Sequence, residues 1–253
     1  MKFTVIIPAR ISSTRFPGKI LHDIKGLPMI EHVRRRALLG KNVNEVFVAT
    51  CDQEIKSVVQ KSGGKVLMTS NTHKNGTQRA SEAAKKIKSD YVILLQGDEP
   101  CILPSTIDDL LEKIQKDKGE FYNAICPIKQ KSTLYDKSSV KCALDSKMIV
   151  QNCFRISPYS TPYSKQKLFI FKMLGLMAFE INFLKKFHLV PNSSLSVSES
   201  IEQLDILYHK TTINPFIIKT DFPSVNFKRN LIDVDQEFNK QKQSKLLFKT
   251  LQM

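Results

Sequence analysis

The sequence predicts an α/β fold in which helices cover both faces of an open, mostly parallel β-sheet. Two observations support this prediction. The runs at 3–8 and 91–95 are apolar without polar alternation, which is typical of strands buried on both faces of a parallel sheet. Along residues 1–128 such runs alternate with segments that carry apolar residues at helical spacing, and crossover helices of this kind join parallel strands.

The first half supplies five predicted strands and four predicted helices. The strands are expected at 3–8, 45–50, 65–68, 91–95 and 123–127, and the helices at 29–38, 55–59, 77–87 and 104–116. In the first helix, Arg34, Arg35 and Arg36 are expected to be exposed, opposite the apolar side. Ligands of such sheets bind beyond the carboxyl ends of the strands. We therefore expect the loops after residues 3–8 and 91–95 to be neighbours in the site.

The second half has a less regular pattern. Strands are expected at 140–144, 148–150 and 169–179, a polar loop at 157–167, and helices at 181–187, at 200–207 and from about 234 to 251. No repeat or low-complexity linker separates the two halves. Residues 1–253 are therefore predicted to form a single domain, in which the second half is added to the same sheet as an insertion or lid.

Composition narrows the class of protein. Hydrophobic residues make up 42% of the chain, and no apolar run approaches the roughly 20 residues that span a membrane. The apolar start is too short for a signal peptide, so a cytoplasmic protein without membrane insertion is expected. The net charge of +15 favours anionic partners, although a solvated lysine-rich surface also explains it. Five scattered cysteines and five dispersed histidines argue against disulfides, zinc and a histidine-based site.

The loop at 9–19 concentrates cations and hydroxyls within a short span. Its three cations and three hydroxyl side chains are Arg10, Arg15, Lys19, Ser12, Ser13 and Thr14. Such groups neutralise phosphate oxygens or donate hydrogen bonds to them. The loop is not a Walker A motif, because Ser13 stands at the first glycine and Ile20 follows Lys19. Its place after a buried strand favours phosphate binding over an ordinary basic surface loop.

The loop at 96–100 places Asp98 directly after a buried strand. A carboxylate there is costly unless it faces a cleft or binds a cation. Mg²⁺ is commonly held by one or two carboxylates together with substrate phosphates, so a magnesium site is expected. An acid that caps the following helix is the alternative. The segment 75–79 adds a turn, a helix start and Arg79, and alone it carries little weight.

Together these segments resemble the cytidylyltransferases that activate 3-deoxy-manno-octulosonate (Kdo). The similarity lies in residues 6–19, in Gly76-Thr77-x-Arg79 and in 96–100; it is close over 1–145, including 139–145, and looser afterwards. It implies a nucleotide-diphospho-sugar transferase-like fold with a nucleotide-binding core at 1–128, an acceptor-binding, lid and dimer region at 129–230, and a C-terminal helix at 231–253. The implied reaction is transfer of CMP from CTP to an acidic sugar by a Mg²⁺-dependent homodimer.

The resemblance also implies residue roles. The implied nucleotide-binding residues are Ala9, Arg10, Ser13, Arg15, Lys19, Gly76, Thr77 and Arg79. The implied acceptor-binding residues are Gln96, Arg155, Glu199, Glu202 and Gln203. Lys19, Arg15 and Asp98 are the implied catalytic residues, and Asp98 and Asn226 occupy the positions of the metal ligands.

The chain departs from the family's pattern at two places. Asn226 stands where the family carries an acid for a second metal, so either substrate oxygens hold that metal or Asp233 or Asp235 replaces the acid. In the acceptor half, Met173 and Met177 replace an imidazole and a phenol, while Ser196 replaces an acid and Asp205 an arginine. The losses predict an acceptor that differs from unmodified Kdo away from its carboxylate, with Glu180 available to an ammonium group; drift within an ordinary Kdo enzyme is the alternative.

Two other functions are compatible with parts of the sequence. A nucleic-acid-binding protein would account for the charge, but the aromatic residues lie in apolar runs such as 168–171 and do not form an exposed stacking surface. A nucleotidyltransferase for a sugar phosphate or for another sugar acid, such as a nonulosonic acid, is the nearer alternative.

Overall fold

A mixed sheet of nine strands forms the centre of the computed structural model, which describes residues 1–13, 15–187, 192–243 and 245–253. A separate two-stranded hairpin follows the first loop. The strands are β1 (Phe3–Ala9), β2 (Asp23–Ile24), β3 (Leu27–Pro28), β4 (Glu45–Thr50), β5 (Lys65–Met68), β6 (Tyr91–Leu95), β7 (Phe121–Pro127), β8 (Lys141–Leu144), β9 (Val150–Phe154), β10 (Ile170–Glu180) and β11 (Asn214–Ile217).

The α-helices of the described residues lie between and after these strands. They are α1 (Met29–Leu38), α2 (Gln53–Lys61), α3 (Gly76–Ala84), α4 (Pro104–Asp117), α5 (Tyr163–Gln166), α6 (Ile181–Phe187), α7 (Ser194–Glu199), α8 (Gln203–Tyr208), α9 (Leu231–Gln243) and α10 (Leu246–Gln252). No helix of the described residues is long and apolar enough to cross a membrane.

The order of the main sheet is β11-β7-β10-β6-β1-β4-β5. The pairs of β1 with β4 and β6, and of β4 with β5, are parallel, as predicted for the first half. Strand β11, which was not predicted, pairs in parallel with β7. Strand β10 runs antiparallel between β6 and β7, and β8 and β9 continue from it as a hairpin. The second half therefore contributes a strand inside the sheet and is more than an insertion added to its edge.

Hydrophobic clusters cover both faces of the sheet, as the apolar strands require. Val5 and Ile7 of β1 face one cluster, with side chains of α1, α2, α4 and α9, whereas Ile6 faces the other, with side chains of α3 and α6. Both faces of β1 are fully buried. This burial explains why the strand has no polar alternation.

The predicted exposure of the three arginines in α1 is wrong. Arg36 is fully buried, its guanidinium 4.9 Å from the ring centre of Phe238 in α9. Arg34 and Arg35 both donate to the buried carboxylate of Glu31, and Arg35 also donates to carbonyl oxygens of α10. The apolar residues of α1 predict that one side of the helix is buried. Nothing in the sequence of the helix shows that the C-terminal helices bury its other side.

Three predicted boundaries in the second half also differ. The helix expected at 200–207 begins only at Gln203, as α8, and it follows a helix that was not predicted, α7, which ends before Ser200, a residue in a left-handed conformation with φ of 53°. The expected C-terminal helix is divided into α9 and α10, and Lys245 before α10 has φ of 61°. Met148, expected in a strand, has φ of 61° in the turn before β9. A positive φ angle at a residue other than glycine is uncommon and cannot be predicted from the residue type.

Candidate active site

A cleft lies at the carboxyl ends of β1 and β6, where the sequence places its two loops. This first cleft has a volume of about 220 Å³. Its lining comes from the loop after β1, the start of α3 and the loop after β6: Pro8, Ala9, Arg10, Ser12, Ser13, Arg15, Lys19, Ile20, His73, Asn75, Gly76, Arg79, Gln96, Gly97 and Asp98. The expectation that the two loops are neighbours is confirmed, because parallel strands β1 and β6 pair directly.

The loop after β1 is fixed by its own backbone and by its neighbours. The Ile11 N–H donates to Asp52 Oδ2 at 2.8 Å, and the Gly18 N–H donates to the Ile11 carbonyl at 3.1 Å. Gly18 has φ of 68°, a left-handed conformation that favours glycine and closes the loop before Lys19. Arg10 and Arg15 remain exposed at the cleft, as phosphate binding requires. Thr14 lies outside the described residues.

Lys19 and Asp98 meet at the floor of the first cleft. Lys19 Nζ lies 2.5 Å from Asp98 Oδ2 and donates to the Val225 carbonyl at 2.8 Å. The Val225 N–H in turn donates to the Asp98 carbonyl at 2.9 Å. These bonds hold the segment before α9 against the loop after β6, so that Asn226 lines the same cavity as Asp98. Arg15 also reaches this segment, its guanidinium 5.5 Å from the ring centre of Phe227.

The start of α3 forms the opposite wall. Asn75 caps the helix by accepting from the Gln78 N–H at 2.9 Å. Gly76 approaches the loop after β6 so closely that a Cβ would lie 3.1 Å from Gln96 Nε2. Arg79 lines the cleft, but it is largely buried and donates to Thr69 Oγ1 at 2.6 Å. Thr77 is buried behind this wall and does not line the cleft.

His73 lines the first cleft, a role that sequence reasoning missed. Its Nε2 lies 2.5 Å from Glu82 Oε2, and Glu82 also accepts from the Ser70 N–H at 2.9 Å. Burial alone would raise the pKa of Glu82, but the bonds from Ser70 and His73 hold that pKa below its ordinary value. The sequence offers one indication of this role, because His73 stands two residues before the helix cap at Asn75.

A second cleft of about 620 Å³ continues from the first. The two share Arg10, Arg15, Asn75, Gly76, Gln96 and Asp98, so a ligand in one adjoins a ligand in the other. The second cleft is further lined by Lys74, Gln78, Glu99, Ser138, Ser139, Val140, Arg155, Lys172, Met173, Leu174, Gly175, Met177, Asn192, Ser196, Val197, Ser200, Ile201, Glu202, Gln203, Asp205, Ser224 and Asn226. Its size is within the usual range for small-molecule sites.

Gly175 of β10 packs against the loop after β6, where the two clefts join. Its carbonyl accepts from the Gln96 N–H at 2.8 Å, and its own N–H donates to Glu99 Oε1 at 3.2 Å. A Cβ at this position would lie 2.6 Å from Glu99 Oε1, so the close contact requires glycine. Burial, together with the charge of the neighbouring Asp98, raises the pKa of Glu99 to about 8. Sequence reasoning missed Glu99 as a cleft residue.

The predicted acceptor residues of the α7–α8 segment do not all face the second cleft. Gln203 lines it and is oriented by a bond from Nε2 to Asn123 Oδ1 of 3.0 Å. Glu202 also lines the second cleft, and its carboxyl group contacts Thr77 of α3. Burial raises the pKa of Glu202, although the hydrogen bonds with Thr77 act in the opposite direction. Glu199 is exposed and its side chain does not line the cleft. Glu199 is the last residue of α7, and Ser200 after it has a left-handed conformation with φ of 53°.

The methionine wall expected from the sequence is present. Met173 and Met177 of β10 both line the second cleft and are almost fully buried. The expected role of Glu180 is wrong, because it lies at the other end of β10, opposite Tyr91, and its Oε2 accepts from the Phe183 N–H at 2.8 Å. Asp205 lines the cleft, but its carboxylate accepts from the Ser193 N–H at 2.7 Å and the Asn192 side chain at 2.7 Å.

The donors around Asp98 fit Mg²⁺. The Asp98 side chain is 24% exposed and borders both clefts, where substrate oxygens can complete the coordination of a metal ion. Asn226 offers a neutral amide to the same cavity. Asp235 is bonded to Lys25 and Asp233 is exposed, and neither lines a cleft, which argues against either as the replacement acid. No group of three or more His, Cys, Asp or Glu side chains in the described part of the chain forms a metal site.

Comparisons with known proteins agree with this architecture. A family model described as cytidylyltransferase matches residues 4–213. A 3-deoxy-manno-octulosonate cytidylyltransferase of Escherichia coli is 36% identical over 89% of this chain and 91% of its own length. An 8-amino-3,8-dideoxy-manno-octulosonate cytidylyltransferase of Shewanella amazonensis is 38% identical over 89% and 94%. A solved CMP:2-keto-3-deoxy-manno-octonic acid synthetase complexed with CTP is 34% identical, with a TM-score of 0.87 over 95% of this chain and all of the other.

Proposed function

The chain belongs to the cytidylyltransferase family, and from this premise we propose that it transfers CMP from CTP to Kdo or a Kdo-like 2-keto-3-deoxy sugar acid, releasing pyrophosphate. The observation that carries the proposal is the junction of the two clefts at Gln96 and Asp98. The first cleft has the cations that a triphosphate requires, and the second is wide enough for a sugar acid. Each substrate therefore has a cavity, and the reacting atoms meet between them.

In this account the anomeric hydroxyl attacks the α-phosphorus of CTP and pyrophosphate leaves. Arg10, Ser13 and Arg15 hold the triphosphate, with Ala9 beside the base, and Lys19 neutralises the charge that develops on the leaving group. Gln96 orients the acceptor at the junction. When bound at Asp98, Mg²⁺ would supply charge neutralisation and alignment. Positioning and electrostatics account for most of the rate in phosphoryl transfer, so a catalytic triad is unnecessary.

The reaction is tested by identifying its products. Incubation of the enzyme with CTP, Kdo and Mg²⁺ is expected to give equimolar pyrophosphate and a cytidine phosphodiester, which ³¹P NMR and mass spectrometry distinguish. CTP consumption without a phosphodiester that contains the acid would contradict the proposal. Membership of an enzyme family also makes the nucleic-acid interpretation unnecessary.

The metal site gives a further prediction. Because Asn226 contributes a neutral amide beside Asp98, we expect weak binding of a second divalent ion, held mainly by substrate oxygens. Asn226→Asp is expected to lower the Mg²⁺ concentration for half-maximal activity several-fold. Binding of Mn²⁺ measured by electron paramagnetic resonance, with a non-hydrolysable CTP analogue, should rise in parallel. Asp233→Asn serves as a control, and loss of activity in that variant with no effect of Asn226→Asp would transfer the ligand role to Asp233.

The acceptor is the part of the proposal that the comparisons leave open, because the relatives include both Kdo and 8-amino-Kdo enzymes. The wall of Met173 and Met177 cannot donate hydrogen bonds to sugar hydroxyls. Glu202 and Asp205 add carboxylates to the same cleft, so Glu202 replaces Glu180 as the acid available to an ammonium group. We therefore propose an acceptor modified away from its carboxylate, such as an amino sugar acid.

Specificity constants for Kdo, 8-amino-Kdo and a nonulosonic acid, each with CTP, test this proposal. We expect 8-amino-Kdo to exceed Kdo by about tenfold, which corresponds to about 1.4 kcal/mol of preferential binding in the transition state. Preference for plain Kdo by tenfold or more would show that the enzyme is a divergent Kdo cytidylyltransferase. Preference for the nonulosonic acid would support the alternative acceptor class.

We also propose a cytoplasmic homodimer. The use of CTP supports the location, and large apolar side chains exposed in the second half, including Tyr135, Ile156 and Leu168, support association there. Cell fractionation tests the location. Sedimentation equilibrium tests the assembly, and a solution mass near 28.9 kDa would contradict it.

A further inference from the structure

Lys141 of β8 is a completely buried lysine. Its ammonium donates to the main-chain carbonyls of Asp136 at 2.6 Å and Ser139 at 3.0 Å, and to that of Arg155. Three acceptors satisfy the three N–H donors of an ammonium group. Among the described residues no carboxylate forms a direct ion pair with it, so main-chain carbonyls supply all of its hydrogen-bond acceptors.

Arg155, directly after β9, repeats this arrangement with its side chain. Its Nη1 donates to the Lys137 carbonyl at 2.9 Å, Nε to the Glu199 carbonyl at 2.8 Å and Nη2 to the Ser200 carbonyl at 2.8 Å. It therefore joins the segment before β8 to the junction of α7 and α8. Burial lowers its pKa, as does the charge of Arg15. No ion pair to a carboxylate is found for Arg155 either within the described part of the chain.

Three of the six carbonyls bound by these two cations belong to residues that line the second cleft, whereas Asp136, Lys137 and Glu199 do not line it. Ser138, Ser139 and Arg155 line that cleft, and so does Ser200. Lys141 itself lies behind the wall and reaches no ligand. A change at Lys141 can thus act on the acceptor only through the segment at 136–139 and through the backbone of Arg155. Lys141 does not line the first cleft, so such a change has no direct effect on that cleft.

We propose that Lys141 is a positioning residue for the acidic acceptor. It fixes three carbonyls so that Arg155 and the serine hydroxyls of the second cleft face the acid in one arrangement. The charge of Asp136 stabilises both cations, but within the described residues no carboxylate pairs directly with either, so they add positive charge beside an anionic substrate. This inference rests on the proposed function, since it assigns Lys141 to the acceptor half of that reaction.

The charge state of Lys141 gives the inference a second readout. Burial lowers its pKa to about 8; Asp136 raises it, whereas Arg155 and Lys172 lower it. Below pH 8 the ammonium donates to all three carbonyls. As the pH rises through 8 the amine loses one donor, and its lone pair then faces a carbonyl oxygen. Binding of the acid should therefore weaken above pH 8, while binding of CTP should not change for this reason.

The test is steady-state kinetics of Lys141→Met, with Lys147→Met as the matched control. Lys147 is exposed in the turn of the same hairpin, between β8 and β9. We expect Lys141→Met to raise KM for the acid at least tenfold at pH 7 and to change KM for CTP less than twofold, and Lys147→Met to change neither. The fall in kcat/KM for the acid above pH 8 should be present in the wild type and absent in Lys141→Met.

Three results would overturn the inference: an unchanged KM for the acid in folded Lys141→Met, equal rises in both KM values, or an alkaline fall that persists in the variant. The last would assign the fall to another group, such as Glu99. If Lys141→Met does not fold, Lys141→Gln keeps two N–H donors without the charge and carries the same comparison. Pyrophosphate release by the wild type, measured first, separates failure of this inference from failure of the proposed function.

Discussion

Asp98→Asn is expected to reduce kcat by about 10³-fold or more while leaving the fold intact. Within the described part of the chain, Asp98 is the one carboxylate that borders both clefts, and it is the charged ligand available to Mg²⁺ there. The amide keeps the size of the side chain but loses the charge that pairs with Lys19 and that, in the proposed mechanism, would hold the metal. Loss of several kcal/mol of transition-state stabilisation corresponds to a change on this scale.

The measurement is kcat with CTP and the preferred acid across a Mg²⁺ titration, with circular dichroism to confirm folding. Asp90→Asn is the matched control. Asp90 stands just before β6, at the end of the sheet away from the clefts, where it accepts a hydrogen bond from the Lys2 N–H. That variant should keep near wild-type turnover. If Asp98→Asn retained near-normal Mg²⁺-dependent activity, the metal assignment would be wrong.

Lys19→Met is expected to reduce kcat by about 10²-fold and to raise KM for CTP. The ammonium is largely buried, 2.5 Å from Asp98 and bonded to the Val225 carbonyl, so it lies where the proposed triphosphate and metal sites would meet. Its charge is needed most as pyrophosphate leaves, which is why kcat should fall as well as affinity. Arg15→Met, at a more exposed cation, should show a smaller loss in the same direction.

Initial rates over a CTP titration at saturating acid measure both parameters. Lys25→Met provides the control, because Lys25 forms an exposed ion pair with Asp235 outside both clefts. Unchanged kcat and KM in Lys19→Met would show that the loop after β1 does not bind the triphosphate. A thermal melt is needed beside the kinetics, since the substitution also removes the cation that Asp98 pairs with.

The core of the fold can be predicted because its sequence pattern is local. Strands β1 and β6 are mainly apolar runs without polar alternation, and the loops that follow them must meet at one edge of a parallel sheet. The predicted proximity of the two loops is confirmed by the contact between Lys19 and Asp98, although 79 residues separate them along the chain. The position of Asp98 and of the basic loop after β1 is accessible to sequence reasoning on these grounds.

The rest depends on contacts between distant segments. Nothing within α1 shows that the C-terminal helices bury Arg36. The left-handed conformation of Ser200, which separates α7 from α8, occurs in a residue type that gives no indication of it in the sequence. Lys141 is an ordinary strand lysine in the sequence, and its role depends on carbonyls of a loop and of the residue after β9. The position of His73 in the first cleft depends on its contact with Glu82, nine residues further along the chain.

The central claim, transfer of CMP from CTP to a Kdo-like acid, is tested most directly by a pyrophosphate-release screen of CTP, UTP, ATP and GTP against Kdo, 8-amino-Kdo, a nonulosonic acid and a hexose 1-phosphate. The account predicts rapid release with CTP and a 2-keto-3-deoxy octulosonate, no release without an acid, and rates at least tenfold lower with each other nucleotide. Release that required the sugar phosphate, or that proceeded equally well with UTP, would contradict the account.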